Sequence, residues 1–485
     1  MNKGTIAAGH HATAQAAADI LGIGGNAYDA AIAAFFASFI AEPCMSSAGG
    51  GAFANILTQT GESVLLDFFC QTPLHKRPIS EIEFVPMTVN FGETTEVFHI
   101  GMGAIATPGM IAGMYYIHER WGSIPMRELV QPALDLARNG VVMNDFQFFD
   151  VSVLEPIMTK EEECRKIFYP DGQPLPVGQT LKMPAMADYL EHLVKEGKRA
   201  FYEGEFAEKT VAACRERGGF LSLQDFKQYE VIARQPLAIP YRGKTILTNP
   251  LPSIGGTLLG LLMRGLDSSF EQQPYQAFSP AHVQNLQALL DDTYRVKRDL
   301  DTLAKKWGST SHFNIVDKWG NAINTTMSNG EGCGFMAPDT NIMLNNMLGE
   351  ASLLPNGFHT WEEDVRLSSM MSPTLVANAK GECEIAIGTG GGSRIPAAIA
   401  QVLHYLIDFD MPITEAVHAA RMHQEHNELN LEPALVGKHK DYPDLNVINW
   451  KAPAMFFGGV HTIQKQGATY IGAADERREG FAMEL

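Results

Sequence analysis

The stretch GSTSHFNIVDKWGNAINTTMSNGEGCG, Gly308 to Gly334, does most to limit what this chain can fold into. His312 to Val316 alternates polar and apolar residues, the period-two pattern of a strand. Asp317-Lys318-Trp319-Gly320 carries turn chemistry, and Asn321 to Met327 reads as the returning strand. The two form an antiparallel hairpin, whose free ends lie side by side. Thr310 starts one strand and Ser328-Asn329-Gly330 ends the other, so a hydroxyl stands at each, with a glycine to allow close backbone approach. That arrangement suits a reactive centre and equally an ordinary hairpin.

Around the hairpin the pattern mixes helices and strands without strict βα alternation, which points to layered α+β rather than a doubly wound parallel sheet. Thr13 caps an expected helix through Leu21, and Asn26-Ala27 opens an Ala-rich helix to Ile40. A Ser-Gly turn (46–51) leads to expected strands Phe53 to Leu57 and Val64 to Phe69. Thr107-Pro108 reads as the cap and first residue of a helix to Arg120, and Ser123 to Arg138 as another, closed by Gly140. Residues 141–240 read as mostly helical, and Ala281 to Lys306 as one long charged helix. Strands at Thr374 to Ala379 and Glu382 to Ile387 feed Gly388-Thr389-Gly390-Gly391-Gly392-Ser393-Arg394, then an apolar helix from Pro396.

Composition narrows the function. The net charge of −18 over 485 residues argues against nucleic acid or an anionic membrane surface as the main partner. No apolar run reaches the roughly 20 residues of a membrane helix, and MNKGTIAAGHH lacks the apolar core of a signal peptide. The expectation is a cytoplasmic protein; a chain trimmed of its leader would look the same. Six scattered cysteines, without CxxC or metal spacing, read as reduced thiols.

Chemistry concentrates in two places. The GTGGGSR turn before a helix presents bare N–H groups to an anion, as an oxyanion hole does; a tight strand-to-helix turn is the plain alternative. It is not a phosphate loop, because no Lys follows. Thr310 gains meaning from its neighbours. Were the Ser309–Thr310 bond cut, Thr310 would carry a hydroxyl and a free α-amine of pKa ~7.7–8.0, which can act as base to that hydroxyl. His312 is a minor candidate base, and Cys333 a buried spectator thiol. Asp475, Arg477 and Arg478 read as a structural ion-pair cluster.

With these residues in view, the chain resembles the γ-glutamyltranspeptidase family of N-terminal nucleophile hydrolases. The resemblance rests on GGNAYDAAIA (24–33), EPCMSSAGGGAF (42–53), ATPGMIAG (106–113), PALDLARNG (132–140) and LPSIGGTLLG (251–260). It continues through STSHFNIVDKWGNAI (309–323), IMLNNML (342–348), LSSMMSPTL (367–375), IGTGGGSRI (387–395) and GAADERREG (472–480). It implies an αββα sandwich and a precursor cut between Ser309 and Thr310 into a large subunit (1–309) and a small subunit (310–485). Thr310 would be the nucleophile and Ser328 the hydroxyl that positions it. Gly391 and Gly392 would supply the oxyanion hole. Asn329, Glu350, Ser368 and Ser369 would bind substrate. No metal or organic cofactor is implied.

Some positions depart from the family pattern. Phe69 stands where γ-glutamyl-specific members carry an Arg that grips the substrate α-carboxylate, and a ring cannot make that bidentate pair. Met347 follows Asn345-Asn346, with Glu350 at the acidic position, and an extra Met370 follows Ser368-Ser369. Arg394 or Arg366 could replace the missing cation. Three readings stay open: a self-processing γ-glutamyltransferase-like amide hydrolase, an uncut silent relative that binds a metabolite or serves as a scaffold, and an acylase for a non-glutamyl group. A homodimer is compatible with the sequence, which contains no feature demanding one.

Overall fold

The computed structural model of the chain describes residues 3–90, 95–300, 309–354 and 356–485. Two antiparallel sheets stack face to face between outer helices. The first has the strand order Phe481–Glu484, Gly4–Ala8, Thr310–Asp317, Ala322–Ser328, Gly51–Leu57, Ser63–Phe68, Ile232–Arg234. The second runs Thr469–Ala473, His461–Gln466, Cys383–Gly388, Thr374–Ala377, Lys244–Thr248, Leu237–Tyr241. The expected hairpin is thus the middle of the first sheet.

Both faces of that hairpin are buried, so its alternation sorts two interiors rather than core from water. Phe313, Ile315, Ile323 and Met327 face the helical layer, where Phe313 meets Phe35 edge to face at 5.0 Å. The polar positions face the second sheet. Asn55, Asn324 and Asn314 stand in direct register on three adjacent strands. Their side-chain amides cross between the sheets to the carbonyls of Leu247 (2.8 Å), Ile387 (3.0 Å) and His461 (2.9 Å) respectively. A buried amide is tolerable when its bonds are made, and these bonds fix how the sheets sit on each other. Small residues such as Ala7, Ala322 and Ala386 fill the gaps between them.

The helix His11–Gly22 packs on Ala27–Ala41, which is buried all round. Asn26 and Asp29 close a capping box at its start. On the second sheet's outer face, Val376, Ile385 and Ile387 meet helices Gly255–Gln272, Pro280–Leu300 and Ile395–Asp408.

Several expected elements differ. His10, not Thr13, caps the first helix; Thr13 donates to Glu42 at 2.6 Å and ties the two helices together. Thr107 is drawn into a bridge with Gln71, so its helix starts at Met110. The expected helix from Ser123 to Arg138 splits into Met126–Leu129 and Gln131–Asn139, because Pro132 has no N–H and begins a new helix. Residues 141–240 include strands as well as helices. Residues 301–306 of the long helix lie outside the described residues. Strand Gly4–Ala8, unforeseen, pairs directly with the hairpin.

Candidate active site

The hairpin register sets Thr310 directly opposite Ser328. Ser328 Oγ donates to the Ser309 carbonyl at 2.6 Å and accepts from the Gly330 N–H at 3.0 Å. The Ser309 N–H donates to Glu331 Oε1 at 2.9 Å, and the Ser309 hydroxyl donates to Glu331 Oε2. Beyond Thr310, Arg478 Nη1 donates to the Thr310 carbonyl at 3.3 Å. The Ser309 N–H, the Ser309 carbonyl and the Thr310 carbonyl are thereby each tied to a buried side chain. Ser311 donates to Glu42, which anchors the strand to the helical layer.

The Gly388–Arg394 turn lies against this point because Gly388 and Gly390 have no side chains. A Cβ on Gly390 would sit 2.0 Å from the Thr310 carbonyl oxygen, and one on Gly388 2.2 Å from the His312 ring. Gly391 (φ +131°) and Gly392 (φ +57°) take conformations that L side chains rarely adopt. Gly392 lines the same cavity as Thr310 and Ser328.

That cavity measures about 380 Å³ including its mouth. Phe69, Met347, Leu353, Met370, Met371 and Ile395 make it apolar, while Glu350, Ser352 and Ser369 add polar groups. Among the described residues its lining has no Lys, Arg or His. Glu350 is buried, and its Oε1 has no hydrogen-bond partner among the described residues. Burial, then the Glu331 and Glu96 carboxyls, hold it well above the usual carboxylate range.

The remaining candidates divide between this cavity and its surroundings. Ser369 lines the cavity with its hydroxyl accepting from the Met371 N–H at 3.1 Å, but Ser368 turns to the Pro252 carbonyl at 2.8 Å. Asn329 reaches the Met343 and Leu344 carbonyls at 3.4 and 3.5 Å. Arg394 is buried against Phe456, donating to its carbonyl at 2.7 Å with its guanidinium 4.6 Å from the ring centroid. Arg366 donates to the Phe69 carbonyl and the Tyr229 hydroxyl, and to the Glu230 carbonyl at 2.6 Å. Neither arginine lines the cavity, so neither replaces the missing cation.

His312 bonds Thr326 at 2.8 Å and Asn314 at 3.2 Å, and burial beside His461 lowers its pKa to about 3. It is a neutral inter-sheet residue. Burial raises the Cys333 thiol to about 12. All six cysteines are free and buried. Asp475 pairs with Arg477 and Arg421, as an ion-pair cluster should, but Arg478 leaves that cluster for the Thr310 carbonyl. Glu331 and Arg478 are the contacts that sequence reasoning missed. Glu331 lay in plain view between two glycines, yet nothing local marks an acid as buried.

Comparison with known proteins agrees with the architecture. The gamma-glutamyltranspeptidase family model matches residues 13–297 and 263–485. The chain is 27% identical to the glutathione hydrolase proenzyme of Bacillus subtilis, over 99% of this chain and 91% of that protein. It is 29% identical to the capsule biosynthesis protein CapD proenzyme of Bacillus anthracis, over 99% and 90%. The solved cephalosporin acylase of Bacillus halodurans superposes with a TM-score of 0.80 at 22% identity, covering 99% of this chain and 96% of that one, which establishes a shared fold.

Proposed function

The chain belongs to the gamma-glutamyltranspeptidase family, whose members are amide hydrolases and acyl transferases, and from that premise we propose that it is a self-processing enzyme with Thr310 as its nucleophile. One contact carries this reading: Ser328, paired opposite Thr310, donates to the carbonyl of the residue before Thr310. That carbonyl is where an attack by Thr310 Oγ would put negative charge, and a preset donor stabilises it.

In self-cleavage, Thr310 Oγ bonds to the Ser309 carbonyl carbon and the Ser309 C–Thr310 N bond breaks. The hydroxyl proton passes to the departing Thr310 nitrogen. Water then hydrolyses the ester, leaving a Ser309 carboxylate and a free Thr310 amine and hydroxyl. Residues 1–309 and 310–485 become the large and small subunits, which stay together through the shared first sheet. In turnover the amine serves as base to the hydroxyl, which attacks an acyl-amide carbon. The oxyanion meets the Gly391 and Gly392 N–H groups. The amine leaves, and water or an acceptor amine takes the acyl group.

The cavity lining favours one refinement. A γ-glutamyl group carries an α-carboxylate, and burying an unpaired carboxylate is costly. With no cation among the described lining residues and an apolar wall of Phe69, Met347, Met370 and Met371, an acyl donor without that carboxylate suits the site better.

Intact mass of the purified protein beside Thr310→Ala tests the reading. Two fragments meeting at Ser309/Thr310 in the wild type, and one uncut chain in the variant, are expected. A wild-type chain that stays whole on long incubation removes the nucleophile reading in favour of a binding or scaffold role.

A further inference from the structure

We propose that Glu331 is a positioning residue for self-cleavage: its carboxyl clamps Ser309 through the N–H and the hydroxyl, holding the Ser309 carbonyl against Ser328 and in line for Thr310. The inference rests on the Thr310 nucleophile reading.

The turn beyond the hairpin is built to deliver this carboxyl. Gly330 (φ +61°) and Gly332 (φ +83°) flank Glu331 in backbone conformations that reverse the chain. Gly330 is also pressed so closely that a Cβ there would lie 2.1 Å from Asn346 Oδ1 and 2.3 Å from Glu350 Oε1. Asn346 Oδ1 accepts the Glu331 N–H at 2.8 Å and fixes the turn from behind. The Glu331 side chain is thereby folded back over the strand end, 1% exposed, with one residue on its two oxygens: Ser309 N–H on Oε1 and Ser309 Oγ on Oε2.

Burying a carboxyl costs stability unless its hydrogen bonds are made, and both side-chain bonds of Glu331 go to Ser309. Ser309 is the residue whose peptide link would be broken. With its N–H held by Glu331 and its carbonyl by Ser328, Ser309 is restrained on both sides of its Cα. Thr310 is held in turn by strand pairing and by Arg478 on its carbonyl. Alignment of this kind accounts for much of the rate of intramolecular reactions.

The test follows the cutting of freshly folded full-length chain by mass, for wild type, Glu331→Gln and Glu331→Ala. Losing charge-assisted bonds of this kind should slow cutting roughly tenfold or more in the Ala variant, and less in Gln, which keeps an acceptor for the N–H. Hydroxylamine, which traps the ester as a hydroxamate on residue 309, should not restore the Ala variant, because the step slowed precedes the ester. Ser309→Ala removes one clamp bond with little threat to folding. It should slow the wild type severalfold and add little in the Glu331→Ala background. Wild-type cutting rates in folded Glu331 variants, rescue by hydroxylamine, or an equal effect of Ser309→Ala in both backgrounds each overturns the clamp and leaves the nucleophile reading intact. Failure of the wild type itself to cut removes both.

Discussion

Arg366 and Phe69 stand back to back: the guanidinium donates to the Phe69 backbone carbonyl, while the Phe69 ring lines the cavity beside Thr310. The nearby cation is spent on main-chain carbonyls and the Tyr229 hydroxyl, with Asp67 Oδ1 at 3.6 Å, on the far side of the wall that substrate would touch. Phe69→Arg would bring a cation to the inner side. The ratio of kcat/KM for a γ-glutamyl anilide over an acyl anilide lacking the α-carboxylate should rise roughly tenfold or more, the worth of one charged hydrogen bond. An unchanged ratio would mean that Phe69 does not contact the acyl group.

Ser328 offers a sharper test of the cutting step. Ser328→Ala removes the donor to the Ser309 carbonyl and should slow self-cleavage by roughly a hundredfold, the usual cost of losing one oxyanion donor. Ser328→Thr keeps the hydroxyl and should process. The reading of that contact fails if the Ala variant matures at the wild-type rate, followed by mass.

Gly390 tests how closely the glycine turn must approach. Gly390→Ala would place a methyl 2.0 Å from the Thr310 carbonyl oxygen, where backbone on both sides must shift. Thermal unfolding should show a loss of about 1–3 kcal/mol, together with slower turnover of any matured enzyme. Full stability and turnover would refute the packed turn.

Glu350 makes a prediction in pH. Burial first, and then Glu331 and Glu96, raise its pKa well above 4.5 in the fold. A raised group stabilises the folded state fully below its unfolded value and loses that contribution as pH climbs above it. Glu350→Gln removes this titration. Its stability relative to wild type should therefore increase as pH rises from 4.5 upward. Melting temperatures of the uncut Thr310→Ala background across pH would check it, and a flat difference would count against the buried carboxyl.

The hairpin that ends on Thr310 and Ser328, and the glycine turn holding Gly391 and Gly392, were legible in the sequence as local patterns, while the roles expected of these residues came from the family resemblance. Strand alternation, a four-residue turn and a glycine run before a helix are set by backbone sterics within a few residues. The same locality explains why the Ala27–Ala41 helix and its Asn26 cap could be read; the departure at Phe69 was visible only through the family resemblance.

Tertiary structure decided the rest. Glu331 looks like any surface acid in the sequence, and Arg478 reads there as one member of an ion-pair cluster; only the fold aims one at Ser309 and the other at the Thr310 carbonyl. Ser368 and Ser369 are neighbours in sequence, yet one bonds the Pro252 carbonyl and the other lines the cavity. Strand Gly4–Ala8 carries weak alternation and gains its place from partners more than 300 residues away. The amino-acid sequence by itself determined the hairpin, the glycine turn and the placing of the Thr310 and Ser328 hydroxyls at the hairpin's two ends, because these follow from short-range geometry. Which carboxyl holds Ser309, and that no arginine among the described residues lines the cavity, were settled by tertiary contacts, whose energies no local pattern encodes.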